Sequence, residues 1–237
     1  MDKRPVAVIG AMPVEIEALL QIAQIEKTEE AASMVFHRGT LSGVPIVTAV
    51  CGAGKVNAAL CAQVMIDRYA PRAVLNIGVA GGLGPVKIGD VVIATHCVQH
   101  DYDITAAGNH PMAEIPLPGG EGRYVVDFPC DEGLSDRLAE AARGIYANVY
   151  RGPVVTGDQF IASNEKANQL HGDYGALACE MEGGAIAHAC LLNGVPCMVL
   201  RTISDNGNDD AVVDFPTFAA QSAHQAQQLL AQVISTL

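Results

Sequence analysis

Short apolar runs alternate with helix-like stretches along the whole chain. Continuous apolar runs bounded by glycine or polar residues predict buried strands, whereas apolar residues with a period of about 3.6 predict helices. The predicted strands span 6–9, 34–39, 44–51, 73–77, 91–94, 154–155, 176–179 and 198–203. The predicted helices span 15–24, 56–69, 134–143, 165–171, 182–192 and 215–237.

This alternation is typical of an α/β fold in which helices flank a central β-sheet on both faces. A predicted hairpin turn at 41–43 makes the sheet mixed rather than purely parallel. The chain has no internal repeat, linker or low-complexity tract, so residues 1–237 are expected to form a single domain. The stretch from 100 to 122 is rich in glycine and proline, has no clear period, and is expected to be a long functional loop.

The composition excludes several classes of protein. Hydrophobic residues make up 50% of the chain and charged residues 17%, which excludes an intrinsically disordered protein. The net charge of −12 would repel a phosphate backbone, so no nucleic-acid partner is expected. Every apolar run is shorter than the roughly 20 residues of a membrane helix, and the first residues lack the features of a secretory signal. A cytoplasmic protein without a membrane partner is therefore expected.

Three other features carry weak signals. The seven cysteines include no C-x-x-C pair and are predicted to be reduced core residues. Residues 52–57 follow a strand and open a helix, but they lack the Ser or Thr of a Walker loop and the third glycine of a dinucleotide fingerprint. A tight turn beside a ligand is the preferred interpretation, with a nicotinamide-dependent oxidoreductase as an alternative. His96 and His100 lie on a predicted strand and loop rather than on one helix face, so no metal site is expected.

Carboxylates follow three of the predicted strands, at Glu15, at Glu180 with Glu182, and at Asp205. Taken singly, each is an ordinary acid at a helix start, where the helix dipole favours it. Ligands of open α/β sheets bind at the carboxyl ends of the strands, and glycine-rich turns at 10–11, 52–54 and 78–82 let a ligand approach the backbone. Together these features predict a ligand site at that edge of the sheet.

Five segments of the chain are informative when they are taken together. They are Ile9-Gly10-Ala11-Met12 with Glu15, Asn76-Ile77-Gly78-Val79-Ala80-Gly81-Gly82, Gly157-Asp158-Gln159-Phe160-Ile161, Glu180-Met181-Glu182 and Arg201-Thr202-Ile203-Ser204-Asp205. In this order, and over nearly the whole chain, they resemble the methylthioadenosine/S-adenosylhomocysteine nucleosidases. The Glu-Met-Glu and Ser-Asp blocks are shared with the wider nucleoside phosphorylase superfamily, whereas the opening segment with its glutamate is more specific to the hydrolases. The resemblance implies a nucleoside phosphorylase-like fold, a homodimer and no cofactor.

The activity implied by the resemblance is hydrolysis of the N-glycosidic bond of methylthioadenosine, S-adenosylhomocysteine or a related 5′-substituted adenosine, with adenine and the thioribose as products. In that reaction Asp205 would be the general acid at purine N7 and Glu15 would activate the water. Two carboxyl groups serve inverting glycosidases in the same way. The implied substrate-binding residues are Met12, Gly81, Ile104, Phe160, Ile161, Glu180, Met181, Glu182, Arg201, Ser204 and Phe215.

The resemblance also assigns individual roles within this set. Phe160 would stack on adenine, the backbone of Ile161 would recognise its Watson–Crick edge, and Glu182 would accept hydrogen bonds from the ribose hydroxyls. Met181 would pack under the sugar. The long loop would close over a neighbouring subunit's site, and the 5′-alkylthio group would lie against Met12, Ile104 and Phe215.

Two departures from the family pattern and several alternatives stay open at this point. Val79 replaces a serine that can hydrogen-bond near the water, and Ala107 replaces an aromatic residue of the closing loop. A purine nucleoside phosphorylase must bind phosphate, yet Asn76 and Val79 stand where such enzymes place arginine and serine, and Glu15 would repel the anion. A futalosine-type hydrolase is a second alternative. A non-enzymatic nucleoside-binding protein is a third, against which the presence of both acids argues.

Overall fold

The computed structural model describes residues 3–103, 106, 113–115, 123–125, 127–208 and 210–236. Its strands are β1 (Val6–Gly10), β2 (Gln24–Ala31), β3 (Met34–Leu41), β4 (Val44–Val50), β5 (Ala73–Gly82), β6 (Val91–Gln99), β7 (Ala113–Ile115), β8 (Arg123–Val125), β9 (Asp127–Pro129), β10 (Val149–Thr156), β11 (Ala178–Glu180) and β12 (Cys197–Asp205). Its helices are α1 (Pro13–Ile22), α2 (Lys55–Tyr69), α3 (Glu132–Ala142), α4 (Asn164–Tyr174), α5 (Gly183–Asn193) and α6 (Ala211–Val233), the last followed by a short 3-10 helix, Ile234–Thr236.

Ten of the described strands form one mixed sheet, in the order β11-β10-β6-β12-β5-β1-β4-β3-β2 with β9 paired to β6. Strand β11 also pairs with β5, so that β5, β12, β6, β10 and β11 close into a ring. Strand β1 runs parallel to β4 and β5, and β12 runs parallel to β5. The carboxyl ends of these strands therefore meet at one edge of the sheet, as expected for a mixed α/β fold.

Helices cover both faces of this sheet, as the alternation of elements predicts. On one face, α2 and α5 bury Met65 and Ile186 against the strands. On the other face, α1, α3 and α6 bury Ile16, Leu138 and Leu229. None of the helices in the described ranges combines the length and the apolar character that a membrane crossing requires.

The pattern of apolar residues fails to predict the observed elements at a few places. Strand β2 is missing from the predicted strands, because its largely charged and exposed residues form an edge strand without an apolar face. Strand β5 continues through the glycines at 78–82, which were predicted to connect two strands, because their pairing with β12 keeps them extended. Strands β7, β8 and β9 have three residues each, too few to show a period. Most of the predicted loop at 100–122, including Ala107, lies outside the described residues.

The side chain of Gln227 ties helix α6 to α1. This side chain is buried, its Oε1 accepts a hydrogen bond from the backbone N–H of Leu19 (3.0 Å), and its Nε2 donates to the carbonyl oxygen of Val14 (2.6 Å). One amide thus satisfies two backbone groups of α1, and buried polar groups of this kind require partners. Because α1 also carries Glu15, this contact fixes the helix on which a candidate functional side chain lies.

Replacing Gln227 by leucine removes both hydrogen bonds at a similar side-chain volume and leaves the backbone groups of α1 without these partners. We expect Gln227→Leu to lower the free energy of unfolding by about 2 kcal/mol, measured by urea denaturation. The control is Gln228→Leu at the next, exposed position, for which we expect a change below about 0.5 kcal/mol. Equal stability of Gln227→Leu and the wild type would show that this amide does not hold α1.

Candidate active site

The acids that follow the strands line one cavity at the carboxyl edge of the sheet. Glu15, Glu182 and Asp205 all contribute to its wall. The rest of the wall is formed by Ala11, Met12, Ala53, Val79, Ala80, Gly81, Phe160, Cys179, Glu180, Met181, Ser204 and Phe215. The structure therefore brings together most of the site residues predicted from the sequence.

Two predicted residues are placed differently, and a third is not among the described residues. Ile161 lines a small adjoining cavity that shares Phe160 and Asp205 with the main one. Arg201 is buried among the acids and does not line the cavity. Ile104 lies outside the described residues, so its assignment stays a prediction.

Three backbone N–H groups hold the carboxylate of Glu15 in the first turn of α1. Its Oε2 accepts hydrogen bonds from Ala11 (2.6 Å) and Met12 (2.9 Å), and its Oε1 accepts one from Val79 (2.9 Å). Burial raises the pKa of this carboxyl group, against the opposing effects of the Arg201 charge and of the three hydrogen bonds. Glu15 is thus fixed in one orientation with a raised affinity for a proton.

Asp205 lies at the end of β12, just after an irregularity in that strand. Ile203 pairs with Ala80 and Asp205 with Gly81, so Ser204 is an extra residue relative to β5. Such a bulge turns the next side chain to a new direction, and bulges are frequent beside active sites. Oδ2 of Asp205 accepts a hydrogen bond from the hydroxyl of Ser204 at 3.0 Å.

The protonation of Asp205 is set by its surroundings. Burial raises the pKa of its carboxyl group, and the nearby charge of Asp214 acts in the same direction. Hydrogen bonds from the N–H of Gly207 (2.9 Å) and from Ser204 oppose the shift without cancelling it. A carboxyl group with a raised pKa keeps its proton at higher pH, which is the property that a proton donor needs.

Two glycines of β5 allow the strand to approach these carboxylates. A Cβ atom at position 78 would lie 2.6 Å from Oε1 of Glu15. A Cβ atom at position 81 would lie 2.9 Å from Oδ1 of Asp205 and 3.0 Å from Sγ of Cys179. The distances of 2.6 and 2.9 Å are too short for a Cβ atom, so glycine at positions 78 and 81 lets β5 lie this close to Glu15 and Asp205.

Arg201 forms the centre of a buried polar network. Its Nη2 donates hydrogen bonds to Oδ1 of Asn76 and to Oε2 of Glu180, both at 2.5 Å. Its Nη1 donates to the carbonyl oxygens of Leu200 (3.0 Å) and Asn76 (3.3 Å). Burial works against the charge, but the surrounding carboxylates outweigh it and raise the pKa of the guanidinium above its ordinary value. Arg201 is therefore a permanent cation within the protein.

Glu180 uses both of its carboxylate oxygens within the protein. Oε1 accepts a hydrogen bond from the hydroxyl of Thr156, and Oε2 accepts from Arg201 and from the backbone N–H groups of Glu182 (2.9 Å) and Gly183 (2.7 Å). Burial would raise the pKa of this group, but Arg201 and the hydrogen bonds outweigh burial and lower it. Glu180 is thus the ionised partner of Arg201 and orients the start of α5.

Glu182, two residues later, has fewer partners. Its Oε1 accepts a hydrogen bond from the N–H of Gly54 at 2.8 Å. Burial and the charge of Glu180 raise the pKa of Glu182 to about 7, against the opposing effect of Arg201. Glu180 and Glu182 therefore differ in protonation although they stand two positions apart, because Arg201 binds only the first directly.

The turn at 52–57 binds acidic groups of the chain itself. The N–H of Gly54 is taken by Glu182, and the N–H of Lys55 donates to Oδ1 of Asp158 at 2.8 Å. The ammonium group of Lys55 forms an ion pair with Asp101 at 2.5 Å. These groups at the start of α2 are the ones that would bind a phosphate. Their use by carboxylates supports the interpretation as a tight turn beside the site and argues against a dinucleotide.

Two aromatic side chains stand at the cavity. The rings of Phe160 and Phe215 meet edge to face with their centroids 5.6 Å apart. Phe160 is 49% exposed, although it is a large apolar side chain. Exposed aromatic rings in such a place are typical of a binding site, and their faces suit a planar base.

The sequence pattern misses several groups that shape the site. Asn76 and Thr156 anchor Arg201 and Glu180, and Cys179 lines the cavity beside Gly81. Asn76 carries a usable signal, since a polar residue inside the apolar run 74–77 must find a buried partner. Within the described part of the chain, no three His, Cys, Asp or Glu side chains are arranged to hold a metal ion.

Comparison with known proteins identifies the family. The Phosphorylase superfamily matches residues 5–235. The 5′-methylthioadenosine/S-adenosylhomocysteine nucleosidase of Mycobacterium bovis is 34% identical over 98% of this chain and 97% of its own length. The aminodeoxyfutalosine nucleosidase of Campylobacter jejuni is 36% identical over 92% of this chain and 93% of its own length.

A solved structure agrees with these relatives. The 5′-methylthioadenosine/S-adenosylhomocysteine nucleosidase of Neisseria meningitidis, in complex with methylthio-immucillin-A, superimposes with a TM-score of 0.89 and 34% identity. The match covers 99% of this chain and 100% of that one. The chain therefore belongs to the phosphorylase superfamily, among its 5′-methylthioadenosine/S-adenosylhomocysteine nucleosidases.

Proposed function

We propose that this protein is a purine nucleosidase that hydrolyses the N-glycosidic bond of methylthioadenosine, S-adenosylhomocysteine or a related 5′-substituted adenosine. The products are adenine and the thioribose. The observation that carries this proposal is the presence of two buried carboxyl groups with raised pKa, Glu15 and Asp205, in the wall of one cavity. The identity with the Campylobacter jejuni protein favours a futalosine-type substrate as the second candidate.

Asp205 acts as the general acid in this mechanism. Adenine leaves poorly as an anion, so a proton must reach N7 while the glycosidic bond breaks. Asp205 supplies that proton, and its raised pKa keeps the carboxyl group protonated closer to neutral pH. The hydroxyl of Ser204 donates to Oδ2 and orients the carboxyl group.

Glu15 activates the water molecule. As the base departs, the sugar becomes an oxocarbenium-like cation at C1′, and a water attacks it while Glu15 accepts a proton. The three backbone hydrogen bonds keep the carboxylate in place, so little reorganisation accompanies the step. Val79 cannot orient the water, because its backbone N–H is already bonded to Glu15 and the valine side chain has no hydroxyl group. We therefore assign this role to Glu15.

The remaining cavity residues bind the substrate. Glu182 accepts hydrogen bonds from the ribose hydroxyls, Phe160 stacks on adenine, and the backbone of Ile161 recognises the adenine edge. Glu180 and Arg201 act indirectly, because the carboxylate oxygens of Glu180 and the Nη atoms of Arg201 are bonded to each other and to the protein. Gly81 lets the backbone approach the ligand, and Met181 packs against the sugar. Met12 and Phe215 form the pocket for the 5′-alkylthio group, together with Ile104 as a prediction.

The charge of the site favours water over phosphate as the nucleophile. A phosphorylase binds its anion through free cationic or N–H donors. Here the guanidinium of Arg201 is buried and engaged by Asn76 and Glu180, and Glu15 places a carboxylate at the position of the nucleophile. Among the described residues, the cavity wall holds no Lys, Arg or His side chain, so a phosphate anion would meet repulsion there.

The test of the reaction is adenine release from methylthioadenosine in phosphate-free buffer. We expect full activity without phosphate and a free thioribose as the sugar product, because water is the nucleophile. Addition of phosphate is expected to leave the rate unchanged. Strict dependence on phosphate, with a sugar 1-phosphate as product, would assign the protein to the phosphorylases instead.

The two carboxyl groups are tested by carboxamides of the same shape. We expect Glu15→Gln and Asp205→Asn each to lower kcat by at least about 100-fold, because one loses the base and the other the acid. Matched controls are Glu17→Gln on the exposed side of α1 and Asp210→Asn at the exposed start of α6, for which wild-type rates are expected. Wild-type turnover in either test variant removes that residue from its proposed role.

We also propose a homodimer that uses the exposed face of α2 and α5. This face carries Val56 (71% exposed), Leu60 and Leu192, together with a shallow cavity lined by Lys55 and His188. Large apolar side chains exposed in one patch are typical of an interface. The ion pair of Lys55 and the N–H of Gly54 connect this face to the active site, so a second subunit seated there lies next to the substrate.

We expect Leu60→Asp to shift the protein from dimer to monomer in sedimentation velocity experiments, because a buried unpaired carboxylate opposes association. Val35→Asp is the control, since Val35 has a similar exposure but lies on β3, away from this face. A wild-type protein that sediments as a monomer at micromolar concentration would exclude the dimer.

Finally, the free state of all seven cysteines supports a cytoplasmic location for this single catalytic domain, residues 1–237.

A further inference from the structure

Three charged residues near the active site are joined in a closed ring that the proposed mechanism does not use. The ammonium group of Lys55 forms an ion pair with Oδ1 of Asp101 at 2.5 Å. Oδ2 of Asp101 accepts a hydrogen bond from the backbone N–H of Asp158, and Oδ1 of Asp158 accepts one from the backbone N–H of Lys55, both at 2.8 Å. Each residue therefore contacts both of the others, and we call this group the Lys-Asp-Asp triangle. The wall of the active-site cavity, as far as its residues are described, includes none of the three.

The triangle joins segments that are distant along the chain. Lys55 begins α2, Asp101 lies two residues beyond the end of β6, and Asp158 lies two residues beyond the end of β10. Strands β6 and β10 are parallel neighbours whose last residues, Gln99 and Thr156, pair with each other. Residues 101 and 158 therefore leave the sheet side by side, and the triangle fastens the start of α2 to these two strand ends.

Two of the three segments hold groups that are assigned to the substrate. The N–H of Gly54, directly before the lysine of the triangle, donates to Oε1 of Glu182 at 2.8 Å. Glu182 is the acid assigned to the ribose hydroxyls. Phe160 and Ile161, assigned to adenine, lie two and three residues beyond Asp158 and line the main and the adjoining cavity. The triangle thus joins the turn that orients the ribose acid to the segment that carries the adenine-binding residues.

The triangle is packed closely and partly shielded from solvent. The side chains of Lys55 and Asp101 are each 18% exposed, and charge pairs at such places are screened less than solvated surface pairs. Burial would raise the pKa of Asp101, but the hydrogen bonds from Lys55 and Asp158 outweigh burial and lower it. A Cβ atom at position 54 would lie 3.1 Å from Oδ1 of Asp158, and φ of Gly54 is +95°, so glycine lets the turn fit against that carboxylate.

Asp101 can hold both of its partners only as a carboxylate. Its two oxygens each accept from a donor, one from the ammonium group of Lys55 and one from the N–H of Asp158. An asparagine side chain has one acceptor oxygen and an NH2 group that only donates. At either position that NH2 group would face another donor, so the two contacts cannot both be kept. The substitution Asp101→Asn therefore opens the triangle at an almost unchanged side-chain volume.

We propose that Lys55, Asp101 and Asp158 are positioning residues for substrate binding, which hold the adenine-binding segment in place relative to the ribose acid Glu182. This inference rests on the proposed function for its effect on catalysis, because adenine and ribose are the groups assigned to the cavity. The two proposed catalytic carboxyl groups have separate hydrogen bonds of their own. The triangle therefore acts on the binding of the substrate rather than on the cleavage of its glycosidic bond.

Steady-state kinetics with methylthioadenosine test this role. We expect Asp101→Asn and Asp158→Ala each to raise KM by at least about fivefold while kcat stays within about twofold of the wild type, because the contacts that are loosened bind ground state and transition state alike. A substitution that only lowers the folded fraction would reduce kcat at an unchanged KM. The control is Asp173→Asn at an exposed position of α4, for which we expect the wild-type KM. An unchanged KM in both test variants, or a loss confined to kcat, overturns the inference.

A pair of substitutions tests whether the residues act as one unit. We expect Lys55→Met to raise KM in the same direction, and the double variant with Asp101→Asn to stay within about twofold of the larger single effect, because both changes break the same ion pair. Multiplication of the two single effects would show independent roles and refute the triangle. Asp101 and Asp158 lie outside the wall of the cavity on the proposed dimer face, so an effect common to all three positions is assigned to the triangle.

Hydrogen exchange followed by mass spectrometry tests the triangle without any substrate. In Asp101→Asn we expect the peptide that spans 157–161 to exchange at least about tenfold faster than in the wild type, because the N–H of Asp158 loses its acceptor, whereas peptides of α6 should not change. Unchanged exchange in 157–161 overturns the inference, even in an active enzyme. If the wild type releases no adenine from methylthioadenosine, the proposed function fails, and the exchange rates still decide whether the triangle holds this segment.

Discussion

One buried cation, the guanidinium of Arg201, makes the arrangement of acids around the cavity possible. Taking a guanidinium out of water is costly, and close carboxylates and hydrogen bonds offset that cost. Asn76, Leu200 and Glu180 accept hydrogen bonds from Nη1 and Nη2 of Arg201, whereas its Nε has no hydrogen-bond partner among the described residues. Glu180 in turn binds Thr156 and the start of α5. Removing one partner would leave the other charge unpaired in the interior, at a cost of about 3–5 kcal/mol.

A single cation cannot neutralise three carboxylates, and this imbalance explains how protons are distributed in the site. Glu180 binds Arg201 directly and has a lowered pKa, whereas the pKa values of Glu182 and Glu15 are raised. When Glu15 and Glu182 are ionised, their charge exceeds that of Arg201, repels a phosphate anion and stabilises a sugar that becomes cationic. The electrostatic balance around Arg201 therefore favours hydrolysis of a nucleoside over phosphorolysis. The groups that set this balance also stabilise the fold.

Strand β12 connects the buried core of the molecule to the active site. It begins at Cys197, carries Arg201 in its middle and ends at Asp205 in the active site. The bulge at Ser204 turns Asp205 toward Gly81, and the ring closure between β5 and β11 places Cys179 opposite the same glycine. The geometry of the site is thus a property of strand pairing, in which residues distant along the chain meet at one edge.

The alternation of apolar runs and helical periods was enough to predict the mixed α/β sheet and its helical layers, because hydrophobic patterning is a local property. The acids that follow the predicted strands indicated a ligand site at the carboxyl edge, where Glu15, Glu182 and Asp205 line one cavity. Strand β2 escaped prediction because its charged residues carry no apolar alternation. The partnership of Arg201 with Asn76 and Glu180 depends on distances between segments far apart in sequence. The unequal protonation of Glu180 and Glu182 depends on the same distances, because Arg201 binds only Glu180 directly. Only the tertiary structure decided these, because burial and charge pairing arise when separate strands and helices pack together.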